Sequence, residues 1–228
     1  MVNLVRKEAL KMRAVFDRKL NQLRQYFEAM GLAVNQQIQA ATQAFIDHDK
    51  AAAQLLIDAD QATNTAEVNL EQQALELIVL QQPVANDFRT IISILKASSD
   101  LERIGDHAVN IARETINVKG NTRLPEVEAK IAVMAGKVRT MLIQMLKADL
   151  SLDATAARNC AQQDRLIDQL YQAIRQEIVL ANQATPAASL ASTSYLLVIR
   201  LLERIGDHIV NLAEWIVYSV SGEIVDLT

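Results

Sequence analysis

Acidic residues in this 228-residue chain recur in pairs that are four positions apart. Residues at this spacing lie one turn apart on the same face of an α-helix. Two like charges in this arrangement destabilise an isolated helix by a few tenths of a kcal/mol, so an offsetting ligand is expected. Two such pairs on neighbouring helices would form an oxygen-rich site for a cation such as Mg, Ca, Mn or Fe, and less specifically Zn. The pairs are Glu102 and Asp106, Asp164 and Asp168, Glu203 and Asp207, and Asp60 with the amide Asn64.

The acidic pairs lie on the polar side of amphipathic segments. A projection at about 100° per residue places Asp207 within about 40° of Glu203, while the apolar residues of that segment fall on the other side. Glu67 joins Asp60 and Asn64 on one stripe in the same way, and is a further candidate ligand. An acidic stripe is most often simply a solvated helix face, so a metal-free helical scaffold is an alternative interpretation.

One stretch of the sequence occurs twice. Leu-Glu-Arg-Ile-Gly-Asp-His spans residues 101–107 and recurs at 202–208, and both copies continue with x-Val-Asn-x-Ala. Asp60 and Asp164 hold corresponding positions upstream of the two copies. The chain is therefore predicted to consist of two tandem units built on the same plan. Within the motif, we expect the glycines to allow close helix approach and the histidines to form hydrogen bonds on the polar face or between helices.

The composition predicts that helices position these residues. The chain has only six glycines and three prolines, and aromatic residues make up 4% of it. Pro83, Pro125 and Pro186 each precede a long periodic stretch, as expected of proline at a helix start. The predicted fold is all-α, with one three-helix bundle at residues 1–119 and a second at 120–228. The six predicted helices span residues 4–46, 50–81, 84–117, 125–148, 152–183 and 187–221.

Charge and missing motifs argue against several classes of function. The net charge of −4 does not favour the broad basic face that nucleic-acid binding requires. The apolar runs are far shorter than the ~18 residues of a membrane-spanning helix, and no signal-peptide pattern is present. We therefore expect a soluble, cytoplasmic protein that does not insert into the membrane. P-loop, dinucleotide-binding and nucleophile-elbow patterns are missing, which argues against nucleotide hydrolysis and serine chemistry.

The doubled motif, together with Gln-Pro-Val-Ala-Asn-Asp-Phe-Arg at residues 82–89, resembles the PhoU family of accessory and regulatory proteins of the phosphate-specific ABC transporter. The resemblance covers almost the whole chain and implies two three-helix bundles. It also implies surface clusters of iron or zinc, with manganese or magnesium as alternatives, held by motifs of the form E(D)xxxD. The positions that match these motifs are Glu102, Asp106, Asp164, Asp168, Glu203 and Asp207, with Asp60 and Asn64 as the departing pair.

The first unit departs from the pattern in two places. Asn64 replaces an acid, and Arg113 stands where the second unit has Glu214. Both changes reduce the negative charge, so the cluster of the first unit is expected to be weaker, smaller or absent.

The resemblance also implies a function. Proteins of this family are negative regulators of the phosphate-starvation response, which link the ATPase subunit of the transporter to a membrane sensor histidine kinase. No catalytic step is implied, the protein would lie at the inner membrane face through its partners, and a homodimer is one option. The alternative from another class is a di-metal carboxylate enzyme of the ferritin-like type. That type uses Glu-x-x-His motifs directed into a four-helix core, whereas here the histidine follows the glutamate by five residues.

Overall fold

The computed structural model describes residues 2–59, 61–119 and 122–227, with side chains described for residues 10–59, 63–119 and 122–227. Within these ranges every regular element is a helix, which confirms the predicted all-α fold. None of the described helices combines the length and apolar character that crossing a bilayer requires.

The first bundle is built by the helices of the first half of the chain. These are α1 (Val2–Ile46), α2 (Lys50–Asp58), α3 (Gln61–Gln81) and α4 (Ala85–Asn117). Helices α1 and α4 pack along each other, and α2 and α3 together form the third rod of the bundle. Pro83 lies in the turn that precedes α4, as predicted.

The second bundle repeats this plan. It consists of α5 (Pro125–Ser151), α6 (Ala154–Ala161), α7 (Asp164–Ala184) and α8 (Ser189–Ser221), with a short 3-10 turn (Pro186–Ala188) before α8. Helix α8 packs against α5, and α6 and α7 together form the third rod. Two prolines stand at the predicted starts, one at the first residue of α5 and one at the first residue of the 3-10 turn.

The predicted helices 50–81 and 152–183 are each divided into a short and a long segment. The short segments begin in the same way, because Asp49 and Asp153 each accept hydrogen bonds from the backbone amides two and three residues further on, at 2.9–3.0 Å. The residue before each cap is left-handed, with φ of 58° at His48 and 51° at Leu152. Gln162 and Gln163 form the turn between α6 and α7, so no glycine or proline marks this division in the sequence.

The two bundles share one apolar core. Helix α4 packs along α8, and α1 packs along α5, so that buried side chains from both halves form one continuous cluster. Tyr195 of α8 is fully buried there, and its hydroxyl donates a hydrogen bond of 2.7 Å to Glu128 Oε1. The same carboxylate oxygen lies 2.8 Å from His48 Nε2 of the first half. The predicted boundary between the two bundles, at residues 119 and 120, adjoins residues outside the described ranges, and it stays a prediction.

A single carboxylate connects α4 to α8. Asp100 Oδ1 lies 2.9 Å from His208 Nδ1 and accepts a hydrogen bond of 2.9 Å from Asn211 Nδ2. Its Oδ2 accepts a further hydrogen bond of 3.2 Å from Trp215 Nε1. In the second copy of the repeat, Leu201 stands at the position of Asp100. Because the leucine side chain has no acceptor, the hydrogen bonds from α8 to Asp100 have no counterpart from α4 to residue 201.

The histidines of the repeated motif differ accordingly. His208 makes the predicted interhelical hydrogen bond, to Asp100, and its ring centroid lies 5.4 Å from that of His107. The Nδ1 atom of His107 is buried, with no hydrogen-bond partner among the described residues. Burial, followed by repulsion from His208, lowers the pKa of His107 to about 4. His107 is therefore neutral at neutral pH.

The Asp100 contact gives a stability prediction. Asp100→Ala leaves three donors on α8 without their acceptor, and is expected to lower the free energy of unfolding by about 2–3 kcal/mol. Asp58→Ala removes an exposed carboxylate that accepts a hydrogen bond from Gln54, one turn earlier, and should change the free energy of unfolding by less than about 0.5 kcal/mol. Urea denaturation followed by circular dichroism measures both. Equal effects of the two substitutions would contradict the assigned role of Asp100.

Candidate metal centre

Four carboxylates of the second bundle lie on two helices that pack together. Asp164 is the first residue of α7 and Asp168 follows one turn later, while Glu203 and Asp207 lie one turn apart in the middle of α8. The position of Asp164 is favourable for a negative charge, because the N-terminus of a helix carries a partial positive charge. The division between α6 and α7 creates this N-terminus.

The Asp164 carboxylate lies against Gly206, between Glu203 and Asp207 of α8, and the proximity of these charges affects their pKa values. Burial, then the charges of Asp168, Asp207 and Glu203, raises the pKa of Asp164 to about 7. The pKa of Glu203 is raised by burial and then by Asp207, and that of Asp207 is raised by burial, with Asp168 adding to the effect. The structure thus brings together the predicted residues of the second unit. Glu203 is more buried than a solvated helix face, since only 13% of its side chain is exposed, whereas Asp168 is exposed and 40% of the Asp207 side chain is accessible.

Two oxygens of this cluster have no visible partner. Asp164 Oδ1 and Glu203 Oε2 are both buried, and neither has a hydrogen-bond partner among the described residues. A buried acceptor without a partner is costly, and the cost is larger for a charged group. A cation bound between α7 and α8 would satisfy both oxygens. The donor set of carboxylates suits hard and borderline metal ions, so these residues fit the metal that the family resemblance implies.

Arginines partly neutralise the same cluster. Arg200 contacts Glu203 Oε1, and Arg204 Nη1 lies 3.8 Å from Asp207 Oδ2. Arg200 is not among the predicted site residues, although its position one turn before Glu203 is a sequence signal for this ion pair. We call Asp164, Asp168, Glu203 and Asp207 the α7–α8 carboxylates below.

The α7–α8 carboxylates do not form a ready coordination sphere in this conformation. Among the described residues, no group of three or more His, Cys, Asp or Glu side chains is arranged to hold a metal ion. Repulsion between like charges and the two arginine contacts favour separated carboxylates in the absence of a cation. A bound metal ion would therefore have to draw these side chains together and displace the proton that Asp164 carries in part of the molecules at neutral pH.

The candidate residues of the first bundle are arranged differently. Asp60 lies outside the described residues, and Asn64 is an exposed residue of α3. Glu67 Oε1 accepts a hydrogen bond of 2.8 Å from Ser99 Oγ of α4. Glu67 is therefore held by a direct contact between α3 and α4.

The two acids of the first repeated motif share one arginine. Arg103 Nε lies 3.6 Å from Glu102 Oε2, and Arg103 Nη1 lies 3.5 Å from Asp106 Oδ2. Arg113, at the position of Glu214, donates a hydrogen bond of 2.7 Å to Asn110 Oδ1. The described candidate acids of the first bundle, Glu67, Glu102 and Asp106, thus have partners, in contrast to the unpartnered Asp164 Oδ1 and Glu203 Oε2 of the second bundle.

The raised pKa of Asp164 predicts how stability depends on pH. A folded-state pKa of about 7, against an ordinary value of 3.8, means that ionised Asp164 opposes folding. This cost is absent below about pH 4, increases between pH 4 and 7, and is complete above pH 7. In chelator-treated protein, Asp164→Asn should raise the free energy of unfolding at pH 8 by about 1–2 kcal/mol after solvent screening.

The measurement compares urea denaturation of the wild type and Asp164→Asn at pH 4 and pH 8. The two proteins should have nearly equal stability at pH 4. Asp58→Asn, at an exposed position, supplies the baseline for removal of one negative charge. A gain of the same size at both pH values would contradict the prediction.

Comparison with known proteins identifies the family. The PhoU domain model matches the chain twice, at residues 27–115 and at residues 131–216. A phosphate-specific transport system accessory protein PhoU homolog from Streptococcus pneumoniae is 37% identical over 218 residues, which cover 95% of this chain and 100% of the relative. A protein of the same description from Pseudomonas aeruginosa is 34% identical over 207 residues, covering 91% of this chain and 86% of the relative.

Solved structures show the same relationship. The crystal structure of the phosphate transport system regulatory protein PhoU from Streptococcus pneumoniae superimposes with a TM-score of 0.86 at 35% identity, and the match covers 92% of this chain and 99% of that one. The crystal structure of PhoU from Pseudomonas aeruginosa gives a TM-score of 0.84 at 34% identity, covering 91% and 100%. The duplicated helical motif, both copies of the domain and the whole fold lead to one conclusion: this chain belongs to the PhoU family.

Proposed function

We propose that this protein is an accessory and regulatory protein of a phosphate-specific transport system. The observation that carries the proposal is the match of the family model to both halves of the chain, together with relatives at 34–37% identity that are described as accessory proteins of that system. The protein acts as a negative regulator: when phosphate is abundant, it restrains uptake and holds the phosphate-starvation response in its inactive state.

Regulation of this kind requires contacts with other proteins. The proposed partners are the ATPase subunit of the transporter and a membrane sensor histidine kinase, so the protein lies at the cytoplasmic face of the membrane through its partners. Exposed apolar side chains around the turn between α3 and α4 support a role in protein contacts. Val79 is 71% exposed, Val84 is 74% exposed and Phe88 is 40% exposed. Contact between two copies of the protein through this surface, in a homodimer, is a further proposal.

We also propose that the second bundle binds metal ions, iron or zinc in the first place and manganese or magnesium as alternatives. The α7–α8 carboxylates would hold the ion, which would supply positive charge at a surface where partners can reach it. Two buried and unpartnered carboxylate oxygens support this site. A second and weaker site in the first bundle would use Asp60, Asn64, Glu67, Glu102 and Asp106.

The protein is proposed to act without catalysis. A ferritin-like di-metal enzyme needs histidine ligands within its Glu-x-x-His motifs. Here the histidine nearest the α8 acids, His208, directs Nδ1 toward Asp100 of α4, at 2.9 Å. This hydrogen bond favours a structural role for His208. An oxidase or phosphatase assay of the iron-loaded and manganese-loaded protein tests the enzyme alternative, and turnover in either assay would support it.

The regulatory function is tested in a bacterial strain that lacks its own PhoU. Such a strain is expected to express alkaline phosphatase even at high phosphate. Expression of the present protein should restore repression at high phosphate and leave induction at low phosphate intact. Unchanged phosphatase levels, with the protein present at normal abundance, would contradict the proposed regulatory role.

Metal binding is tested by elemental analysis of protein purified without chelator. Wild-type protein should retain iron or zinc, and Glu203→Ala/Asp207→Ala should lose the part bound by the second bundle. Glu102→Ala/Asp106→Ala reports on the first bundle, and Glu223→Ala removes one exposed carboxylate as a control. Equal metal content in the wild type and the Glu203→Ala/Asp207→Ala variant would rule out the second-bundle site.

A further inference from the structure

Gly206 lies in the interior of α8, between Glu203 and Asp207. Glycine at such a position destabilises a helix relative to alanine, because it loses more conformational freedom on folding. A compensating contact is therefore expected where the side chain is missing. The contact is made by α7.

The Asp164 carboxylate occupies the space that a side chain at Gly206 would need. A Cβ atom placed on Gly206 would collide with Asp164 Oδ1 and would lie 3.5 Å from Ile167 Cγ2. The same Oδ1 atom is buried and has no hydrogen-bond partner among the described residues. The Asp164 carboxylate thus rests directly on the backbone of α8, between the two acids of the repeated motif.

Within the described part of the chain, the glycine of the identical motif in the first bundle lies against Thr63 and Gln37. A Cβ atom on Gly105 would meet the methyl group of Thr63 at 3.1 Å and Gln37 Oε1 at 3.3 Å. These two side chains are hydrogen-bonded to each other, with Gln37 Nε2 donating to Thr63 Oγ1 at 2.8 Å. Among the described residues, the nearest atoms to Gly105 therefore belong to neutral side chains. The contacts at 3.1 and 3.3 Å are tight but could be relieved by a small shift of these side chains.

We propose that Gly206 is a positioning residue of the second-bundle metal site. The absence of a side chain lets the Asp164 carboxylate approach α8 and join Glu203 and Asp207 around one cation. Among the described residues, Gly105, in the same sequence context, packs against neutral side chains. The inference rests on the proposed metal binding of the second bundle, and it names the residue that decides whether α7 can contribute Asp164 to that site.

The first test measures metal binding by Gly206→Ala, with Gly105→Ala as the matched control. Chelator-treated protein is titrated with Zn²⁺ alone and with Fe²⁺ alone, and bound metal is counted after gel filtration. Gly206→Ala should lower the affinity of the second-bundle site about 10- to 100-fold, the range typical for loss of a supporting contact around a metal site. Its retained metal should approach that of Glu203→Ala/Asp207→Ala. Gly105→Ala should keep the second-bundle affinity of the wild type within about twofold.

The second test needs no metal, and so separates this inference from metal binding itself. Thermal unfolding of chelator-treated protein is measured for Gly206→Ala in the wild-type background and in an Asp164→Ala background. In the Asp164→Ala background the space is free, and Gly206→Ala should raise the melting temperature because alanine is the better helix former. With Asp164 present, the added methyl group displaces the carboxylate, so the melting temperature should rise less or fall.

The outcomes distinguish the two proposals. Equal metal affinity of Gly206→Ala and the wild type would overturn the positioning role of Gly206. The same melting-temperature change in both backgrounds would overturn it as well, because the effect of the glycine would not depend on Asp164. Wild-type protein that binds neither ion would contradict the proposed metal site, while the thermal measurements alone would still decide the contact between Gly206 and Asp164.

Discussion

The packing of α8 against α4 on one side and against α6 and α7 on another is the constraint on which the rest of the structure depends. Helix α8 supplies fully buried residues along its length, among them Val198, Leu202 and Ile209. Burial of this apolar surface is the main favourable contribution to folding. It also fixes which polar positions of α8 face the neighbouring helices, because the positions around a helix keep a constant angular spacing and rotate together about the helix axis.

The two halves of the molecule are similar in sequence but not equivalent in their contacts. Asp100 joins α4 to α8 through three hydrogen-bond donors, whereas the corresponding Leu201 offers no acceptor. His208 consequently has a carboxylate partner, and burial lowers the pKa of His107 instead. The two copies of the motif thus differ in the surroundings of their histidine. His208 has Asp100 as its partner, whereas the buried Nδ1 of His107 has no hydrogen-bond partner among the described residues.

The same asymmetry separates the two candidate metal sites. In the second bundle, burial and mutual repulsion raise the pKa of Asp164, Glu203 and Asp207. Such an arrangement is unfavourable in the absence of a counter-ion, and sites of perturbed pKa are often functional. In the first bundle, Ser99 donates a hydrogen bond to Glu67, and Arg103 lies close to Glu102 and Asp106. The two bundles therefore differ in how their candidate ligands are paired.

The amino-acid sequence by itself determined the helical class, the duplication, the helix starts at proline and the i, i+4 pairing of the acids. These properties are local, since they depend on the spacing of residues within one helix. Tertiary structure decided the division of two predicted helices, the role of Asp100 and the burial of Asp164 against Gly206. The physical reason is that desolvation and charge repulsion depend on which helix lies opposite, and a pattern within one segment carries no information about its neighbour. The repeated motif illustrates this limit, because its glycine lies against the Asp164 carboxylate in the second bundle and, among the described residues, against Thr63 and Gln37 in the first.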